Sequence, residues 1–274
     1  MKKIFACATS CYGNHVDLNQ VLDDIATSGF NGVEFMSIPK WFDHLSPDIF
    51  SEKELREFIN RAGQLNLTIP ALCAHCELGK PSGASQLVKR IGLAASLDIN
   101  LVVTGSGILE NEEAERSFHQ GLEDAVFCAE NLKVTLLLET GGTCHPTGKA
   151  VKKITDKFKS DFFKIAYDPG NVALWGKADP LLDLQEVVKD VKHFHVKDHQ
   201  PGMEFHPPLG KGDIDFNALF SLLKKSNYPG VFSLEVDLMT GGFFSAHENV
   251  TESFTYLLQK TNYSRLFQDD KLFE

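Results

Sequence analysis

Four residues that could bind a metal ion or move a proton occur at the ends of short apolar runs in the second half of the chain. The runs TLLLE, KIAYD, KHFHV and VFSLE contain Glu139, Asp168, His195 and Glu235. Spacings of 29, 27 and 40 residues separate these four, about one strand–helix unit each time. Two Glu, one Asp and one His at one point would form a mixed oxygen and nitrogen site. Such a set suits Mn²⁺, Mg²⁺ or Co²⁺ with positions open for substrate.

Taken singly, each of the four has an ordinary structural explanation. A carboxylate at a strand end is often a helix cap, and a histidine within a strand is usually a hydrogen-bonded core residue. Three carboxylates that all follow apolar strands would repel one another unless a cation lay between them. The set as a whole therefore favours a metal site.

Strands and helices must alternate to bring these residues together. Helical periodicity is clearest over 52–66, where Ser51 and Glu54 predict a capping box, and a last helix is predicted at about 246–260. Short apolar runs bounded by turn-forming residues predict eight strands. They cover residues 3–9, 32–37, 68–76, 100–107, 134–140, 163–169, 191–198 and 231–237.

Strict alternation of eight strands with helices allows an open doubly wound sheet or a closed barrel. The first strand–helix turn, TSCYGNHVD, has no Gly-rich dinucleotide fingerprint, and no P-loop motif occurs. We therefore expect an α/β fold of the (β/α)8 TIM barrel type, as a single domain over 1–274. Active sites of such barrels lie at the carboxyl ends of the strands, where all four residues would project from strands 5 to 8.

Composition and charge limit the partners. The chain has 274 residues, 43% hydrophobic and 23% charged, which is ordinary for a globular protein. A net charge of −10 disfavours nucleic acid as a partner, and no run approaches the ~18 apolar residues of a membrane span. Six cysteines without a signal peptide predict free thiols in the cytoplasm. Cys73 and Cys76, in CAHC, are expected in the barrel wall because no second pair completes a zinc site.

Five motifs resemble, in order and spacing, the xylose isomerase-like TIM barrel superfamily of sugar isomerases and epimerases. They are LLLETGG, IAYDPGNVALWGKADP, FHVKDH, PPLGKGDIDF and YPGVFSLEVD, and the resemblance covers about residues 134–237. It implies that Glu139, Asp168, His195 and Glu235 bind one divalent metal ion, with Zn²⁺ a further candidate beside Mn²⁺, Mg²⁺ and Co²⁺. It also implies a small-molecule carbohydrate substrate and a homodimer or homotetramer.

The same resemblance implies a mechanism. Glu139 and Glu235 would be the acid/base pair, which moves a proton on a carbon beside a carbonyl through a metal-stabilised enediolate. The expected activity is that of a sugar isomerase or epimerase.

Departures from the family pattern keep alternatives open. Ketose 3-epimerases of this family commonly have a histidine where Asn171 stands, and an arginine that HQPGMEFHPP lacks. A lyase that dehydrates a keto-polyol, of the inosose or 3-dehydroshikimate type, is the main alternative. A non-catalytic sugar-binding barrel is less favoured. So is an apurinic-endonuclease-like hydrolase, because Thr104 stands where that branch needs a histidine.

Six further residues are predicted to contact substrate, each with a plainer alternative. His75 would end strand 3 or belong to the core, and Glu34 would bind sugar hydroxyls or form an ion pair. Lys197 lies on the same strand face as His195 by the period-2 rule, whereas Asp198 would face away. His193 shares that face too, but one layer deeper, as a core residue. Loops contribute the remaining candidates, His145, Trp175 and His206.

Overall fold

The computed structural model describes residues 4–228, 230–237 and 245–260. Eight parallel strands close into a barrel in the order β1 to β8, so each strand pairs with its neighbours in sequence and β8 pairs with β1. This confirms the predicted (β/α)8 barrel. The strands are β1 Ile4–Ala8, β2 Gly32–Met36, β3 Leu72–Cys73, β4 Leu101–Thr104, β5 Thr135–Glu139, β6 Phe163–Tyr167, β7 Val191–Val196 and β8 Val231–Leu234.

Helices between the strands form the outer layer. A short 3-10 turn, Thr9–Tyr12, follows β1. The α-helices are α1 Leu18–Thr27, α2 Glu52–Gln64, α3 Pro81–Ser96, α4 Glu112–Leu132, α5 Gly148–Phe158, α6 Pro169–Leu174, α7 Pro180–Val187, α8 Phe216–Lys225 and α9 Ala246–Lys260. Among the described residues, no helix is long and apolar enough to cross a membrane. The predicted single domain over 1–274 includes residues 1–3 and 261–274, which lie outside the described residues.

Several strands are shorter than the apolar runs predicted. The third run covered 68–76, yet only Leu72 and Cys73 form β3. Backbone hydrogen bonds extend past it, since Ala74 N donates to Val103 O at 2.7 Å. Within this run, residues 70–74 and Cys76 are buried, so burial extends further than regular strand pairing.

The predicted start of α2 is confirmed, and its end is earlier than predicted. Ser51 N donates to Glu54 Oε2 at 2.8 Å, and Glu54 N donates to Ser51 Oγ at 3.4 Å, which completes the capping box. The helix ends at Gln64, and Asn66 has a left-handed backbone with φ of 58°. Asparagine tolerates that conformation better than most residues, so the chain turns there toward β3.

The cysteines agree with the prediction of free thiols. All six are unpaired. Cys73 lies in the barrel wall on β3, as predicted, whereas Cys76 is buried three residues after that strand ends. Burial raises the pKa of Cys76 to about 12.

Candidate active site

The four residues singled out from the sequence meet at the carboxyl ends of neighbouring strands. Glu139 ends β5, Asp168 directly follows β6, His195 is the fifth residue of β7, and Glu235 directly follows β8. One ligand atom from each lies within 4.8 Å of the others. The predicted convergence is therefore confirmed as geometry.

His195 lies at the centre of this cluster and is fully buried. Its Nδ1 hydrogen-bonds Glu139 Oε1 and lies 3.3 Å from Glu235 Oε2 and 3.8 Å from Asp168 Oδ2. Burial alone would lower the pKa of His195, but Glu34, Glu139 and Glu235 outweigh it and raise that pKa well above its ordinary value. The carboxylates thus strongly favour positive charge at this point.

Glu139 contacts two imidazoles, one through each oxygen. Oε1 faces His195, and Oε2 lies 3.0 Å from Nε2 of His75, whose side chain is 33% exposed. Burial would raise the pKa of Glu139, but His195 and His75 hold it well below its usual range. Glu139 is therefore ionised at neutral pH, as a general base must be.

Asp168 divides its two oxygens between a helix and the site. Oδ1 accepts a hydrogen bond from Asn171 N at 2.9 Å and caps α6. Oδ2 lies 2.8 Å from Lys197 Nζ, but not at a hydrogen-bonding angle, so it has no hydrogen bond among the described residues. Burial raises the pKa of Asp168 to about 6, although Lys197 opposes the shift.

Lys197 and His206 lie beside the cluster, where the sequence predicted substrate contacts. Lys197 Nζ lies 3.2 Å from Glu235 Oε2, and the residue is only 5% exposed. His206 Nδ1 donates to Asp198 O at 3.0 Å. Burial, with help from nearby Lys197, lowers the pKa of His206 to about 4, so this imidazole is neutral at physiological pH. Gly170 separates the two side chains, since a Cβ there would lie 2.9 Å from Lys197 Cγ and 3.0 Å from His206 Nδ1.

Glu34 contacts two histidines, whereas the sequence predicted a contact with sugar hydroxyls. Its carboxylate is fully buried and contacts His193 Nε2 and His195 Nε2, each 3.2 Å from Oε2. This is the structural ion pair that the sequence left as an alternative to a sugar contact. A carboxylate with no exposed surface and two imidazole partners has no free face for a hydroxyl.

His145 and Trp175 also differ in their surroundings. The ring of His145 stacks on Phe118 of α4, with centroids 5.2 Å apart. Burial lowers the pKa of His145, and the other groups that influence this pKa lie on α4 and α5. His145 therefore packs in the helical layer, where the aromatic face of Phe118 stabilises the half-buried imidazole. This position gives no support to the predicted contact between His145 and substrate. Trp175 follows α6 with 48% of its surface exposed. Its role as a substrate contact stays a prediction.

Asp198 has an organising role that the sequence did not reveal. It faces away from the cluster, as predicted, and accepts hydrogen bonds from backbone N–H groups of the β7–α8 loop. His199 is the next residue, but the other three donors lie 12, 14 and 16 residues further along the chain, so a short window around Asp198 could not show them. The alternation His193–Phe194–His195 could have suggested a shared partner for the two imidazoles, because both point into the barrel.

The chain belongs to the xylose isomerase-like TIM barrel family, whose model matches residues 22–260. Among curated proteins it is similar to L-ribulose-5-phosphate 3-epimerase UlaE of Escherichia coli strain K12. The two are 27% identical over 227 residues, which is 77% of this chain and 78% of the relative.

Solved structures share the fold over nearly the whole chain. An L-ribulose 3-epimerase superimposes with a TM-score of 0.78 at 16% identity and covers 100% of both chains. A xylose isomerase-like TIM barrel protein from Mycobacterium smegmatis, in complex with magnesium, gives a TM-score of 0.74 at 16% identity. It covers 96% of this chain and 98% of the other.

Proposed function

We propose that the protein is a divalent-metal-dependent sugar epimerase that acts on a ketose or a ketose phosphate. The observation that carries the proposal is the convergence of Glu139, Asp168, His195 and Glu235 within 4.8 Å at the carboxyl face of the barrel. Family membership and the similarity to a ketopentose-phosphate epimerase support the reaction class.

The donor set fits a divalent cation. Three carboxylates and one imidazole nitrogen face a common point, and Asp168 Oδ2 is a buried acceptor without a hydrogen bond among the described residues. Oxygen donors with one imidazole match the preferences of Mn²⁺, Mg²⁺ and Co²⁺. The magnesium complex of the Mycobacterium smegmatis relative supports the same choice of metal class. A cation bound here would act as a Lewis acid that polarises substrate oxygens.

Glu139 and Glu235 are the proposed acid/base pair. Glu139 is nearly buried and ionised, whereas the side chain of Glu235 is 21% exposed beside Lys197. One glutamate removes the proton from the carbon beside the carbonyl, and the other returns a proton to the opposite face of that carbon. Glu139 ends β5 and Glu235 follows β8, so the two carboxylates come from different strands, which supports a mechanism with two acid/base groups.

Three neighbouring side chains are proposed to bind sugar oxygens. His75 is partly exposed and contacts Glu139, Lys197 offers an ammonium group beside Glu235, and His206 is held neutral by burial. The ammonium group of Lys197 donates hydrogen bonds to hydroxyl and carbonyl oxygens, and an imidazole can donate or accept. The one N–H of neutral His206 is donated to Asp198 O, so its Nε2 would accept a hydrogen bond from a sugar hydroxyl.

Asn171 stands where related ketose epimerases commonly have a histidine. Its Nδ2 donates to Thr140 O at 3.1 Å, so the side chain links the residue after β5 to α6. The dehydratase alternative gains no support from the relatives reported above. A cytoplasmic location and a homodimeric or homotetrameric state stay predictions.

Proton exchange in D₂O tests the reaction class. The metal-loaded protein is incubated with L-ribulose 5-phosphate, L-ribulose, a keto-inositol and dehydroshikimate, and products are followed by NMR and ultraviolet absorbance. We expect an epimer with deuterium at the inverted carbon and no loss of water. A conjugated, ultraviolet-absorbing product would instead establish dehydration.

Isosteric variants test the acid/base assignment. Glu139→Gln and Glu235→Gln should each lower turnover by about 10²–10⁴-fold, the usual contribution of a positioned acid or base. Glu123→Gln is the matched control, because Glu123 is exposed on α4. Near-native turnover of both site variants with metal bound would show that the assignment is wrong. Failure of the wild-type chain to bind metal would contradict the proposed function itself.

A further inference from the structure

Beneath the proposed metal site lies a second cluster, which shares His195 with that site. It consists of Glu34 on β2 with His193 and His195 on β7, and all three are fully buried. Their interacting atoms are Glu34 Oε2, His193 Nε2 and His195 Nε2, with 3.2 Å between the oxygen and each nitrogen. We call this the Glu34 cluster.

The cluster spans the interior of the barrel. Strands β7 and β2 are separated by β8 and β1, so Glu34 reaches His195 across the barrel and not along a sheet. The rings of His193 and His195 are perpendicular, with centroids 4.8 Å apart, which lets both Nε2 atoms address one oxygen. A buried carboxylate is costly unless hydrogen-bonded, and two imidazole N–H donors meet that need.

Bonding to Glu34 determines which nitrogen of His195 keeps its proton when a cation binds. A carboxylate only accepts, so His195 donates from Nε2 to Glu34 and from Nδ1 to Glu139 Oε1. A cation held by Glu139, Asp168 and Glu235 would displace the proton of Nδ1, the atom that faces these three carboxylates, and the Nε2–H would stay with Glu34. Metal-binding histidines generally donate their other N–H to a carboxylate or carbonyl, which fixes the tautomer and makes the ligand more basic.

We propose that Glu34 is a positioning residue that holds the Nε2–H of His195 and so presents Nδ1 to a divalent cation, with His193 holding the Glu34 carboxylate in place. This inference rests on the proposed metal site. It replaces the sugar-binding role predicted for Glu34 and gives His193 a role beyond packing. A second cation within the Glu34 cluster is not favoured, because His195 would have to bind metal through both nitrogens and lose its ring proton.

Metal affinity of a near-isosteric variant gives the first test. Wild type, Glu34→Gln and Ser233→Ala are titrated with Mn²⁺ alone by calorimetry at neutral pH. Loss of an outer carboxylate partner typically weakens metal binding about 10–100-fold, and we expect that loss for Glu34→Gln. Glutamine retains one acceptor oxygen, but its NH₂ group is a donor and its charge is gone. Ser233 is the matched control because it is fully buried and pairs in register with His195.

The tautomer of His195 gives a second test, which needs no variant and separates positioning from general stability. In the Mg²⁺-loaded wild-type protein, long-range ¹H–¹⁵N correlation spectra should show a protonated Nε2 and a metal-bound Nδ1. Glu34→Gln should lose or mix this pattern. The wild-type spectrum remains decisive even if Glu34→Gln fails to fold.

Three results would overturn the inference. They are unchanged Mn²⁺ affinity in Glu34→Gln, a protonated Nδ1 in the Mg²⁺-loaded wild type, or two Mn²⁺ ions bound per wild-type chain. If wild type binds one Mn²⁺ and Glu34→Gln binds it equally well, only the inference fails. If wild type binds no metal, the proposed function fails with it.

Discussion

Asp198 provides a quantitative test of how the β7–α8 loop is held. Its Oδ1 accepts from His199 N at 2.8 Å and Ile214 N at 3.2 Å. Its Oδ2 accepts from Gly210 N at 2.9 Å and Gly212 N at 3.0 Å. The residue is 1% exposed, so one carboxylate satisfies four backbone donors spread over sixteen residues of chain.

The variant Asp198→Asn changes half of these bonds. Its carbonyl oxygen can replace one carboxylate oxygen, but its NH₂ group would face the two N–H donors that the other oxygen accepted. Each buried donor left unpaired costs about 1–3 kcal/mol. Because the hydrogen bonds from Gly210 N and Gly212 N are part-buried, we expect the free energy of unfolding to fall by about 2–4 kcal/mol.

Urea unfolding of Asp198→Asn measures this loss, and amide hydrogen exchange locates it. Protection should fall at Gly210 and Gly212 and remain in the strands of the barrel. Asp213→Asn is the matched control, since it removes the same charge from the same loop at an exposed position. If Asp198→Asn and Asp213→Asn were equally stable, the carboxylate would not hold the loop and the reasoning would be refuted.

The remaining predictions concern a buried guanidinium and an imidazole. Arg90 is 0% exposed and donates to Ser37 O at 2.6 Å and Asp43 Oδ1 at 3.0 Å, so Arg90→Ala should cost about 3–5 kcal/mol in urea unfolding. A loss below about 1 kcal/mol, typical of a surface pair, would show that the bridge is not stabilising. His206 has a folded pKa of about 4 against an ordinary 6.5, so stability is full above pH 6.5 and is lost as pH falls toward 4. The loss is at most about 3.4 kcal/mol at 1.36 kcal/mol per pKa unit. His206→Asn should flatten this part of the pH profile, and parallel profiles for wild type and His206→Asn would contradict the assignment.

The sequence predicted the barrel and the four-residue cluster because both depend on regular spacing. Apolar runs alternate with helical periodicity, and Glu139, Asp168, His195 and Glu235 recur about once per strand–helix unit. Parallel strands of a barrel end at one face, so equal positions in successive units must meet. His195 could be separated from His193 by height along β7.

Contacts across the barrel and within loops could not be predicted in the same way. Glu34 meets His195 across 161 positions of sequence, and no local pattern records that pairing. The packing of His145 on Phe118 depends on how the loop after β5 turns toward α4, which periodicity does not determine. Several predicted strands were also longer than the observed ones, because apolar residues indicate burial and not hydrogen-bonded strand pairing.

The short side chain of Asp168 has two roles. One oxygen caps the start of α6 and the other belongs to the cluster, so the residue links local backbone order to chemistry. Asparagine could keep the cap but would lose the charge, and glutamate would keep the charge but displace both oxygens by a methylene length. Neither substitution would keep both roles, so the start of α6 and the chemistry of the cluster depend on the same aspartate.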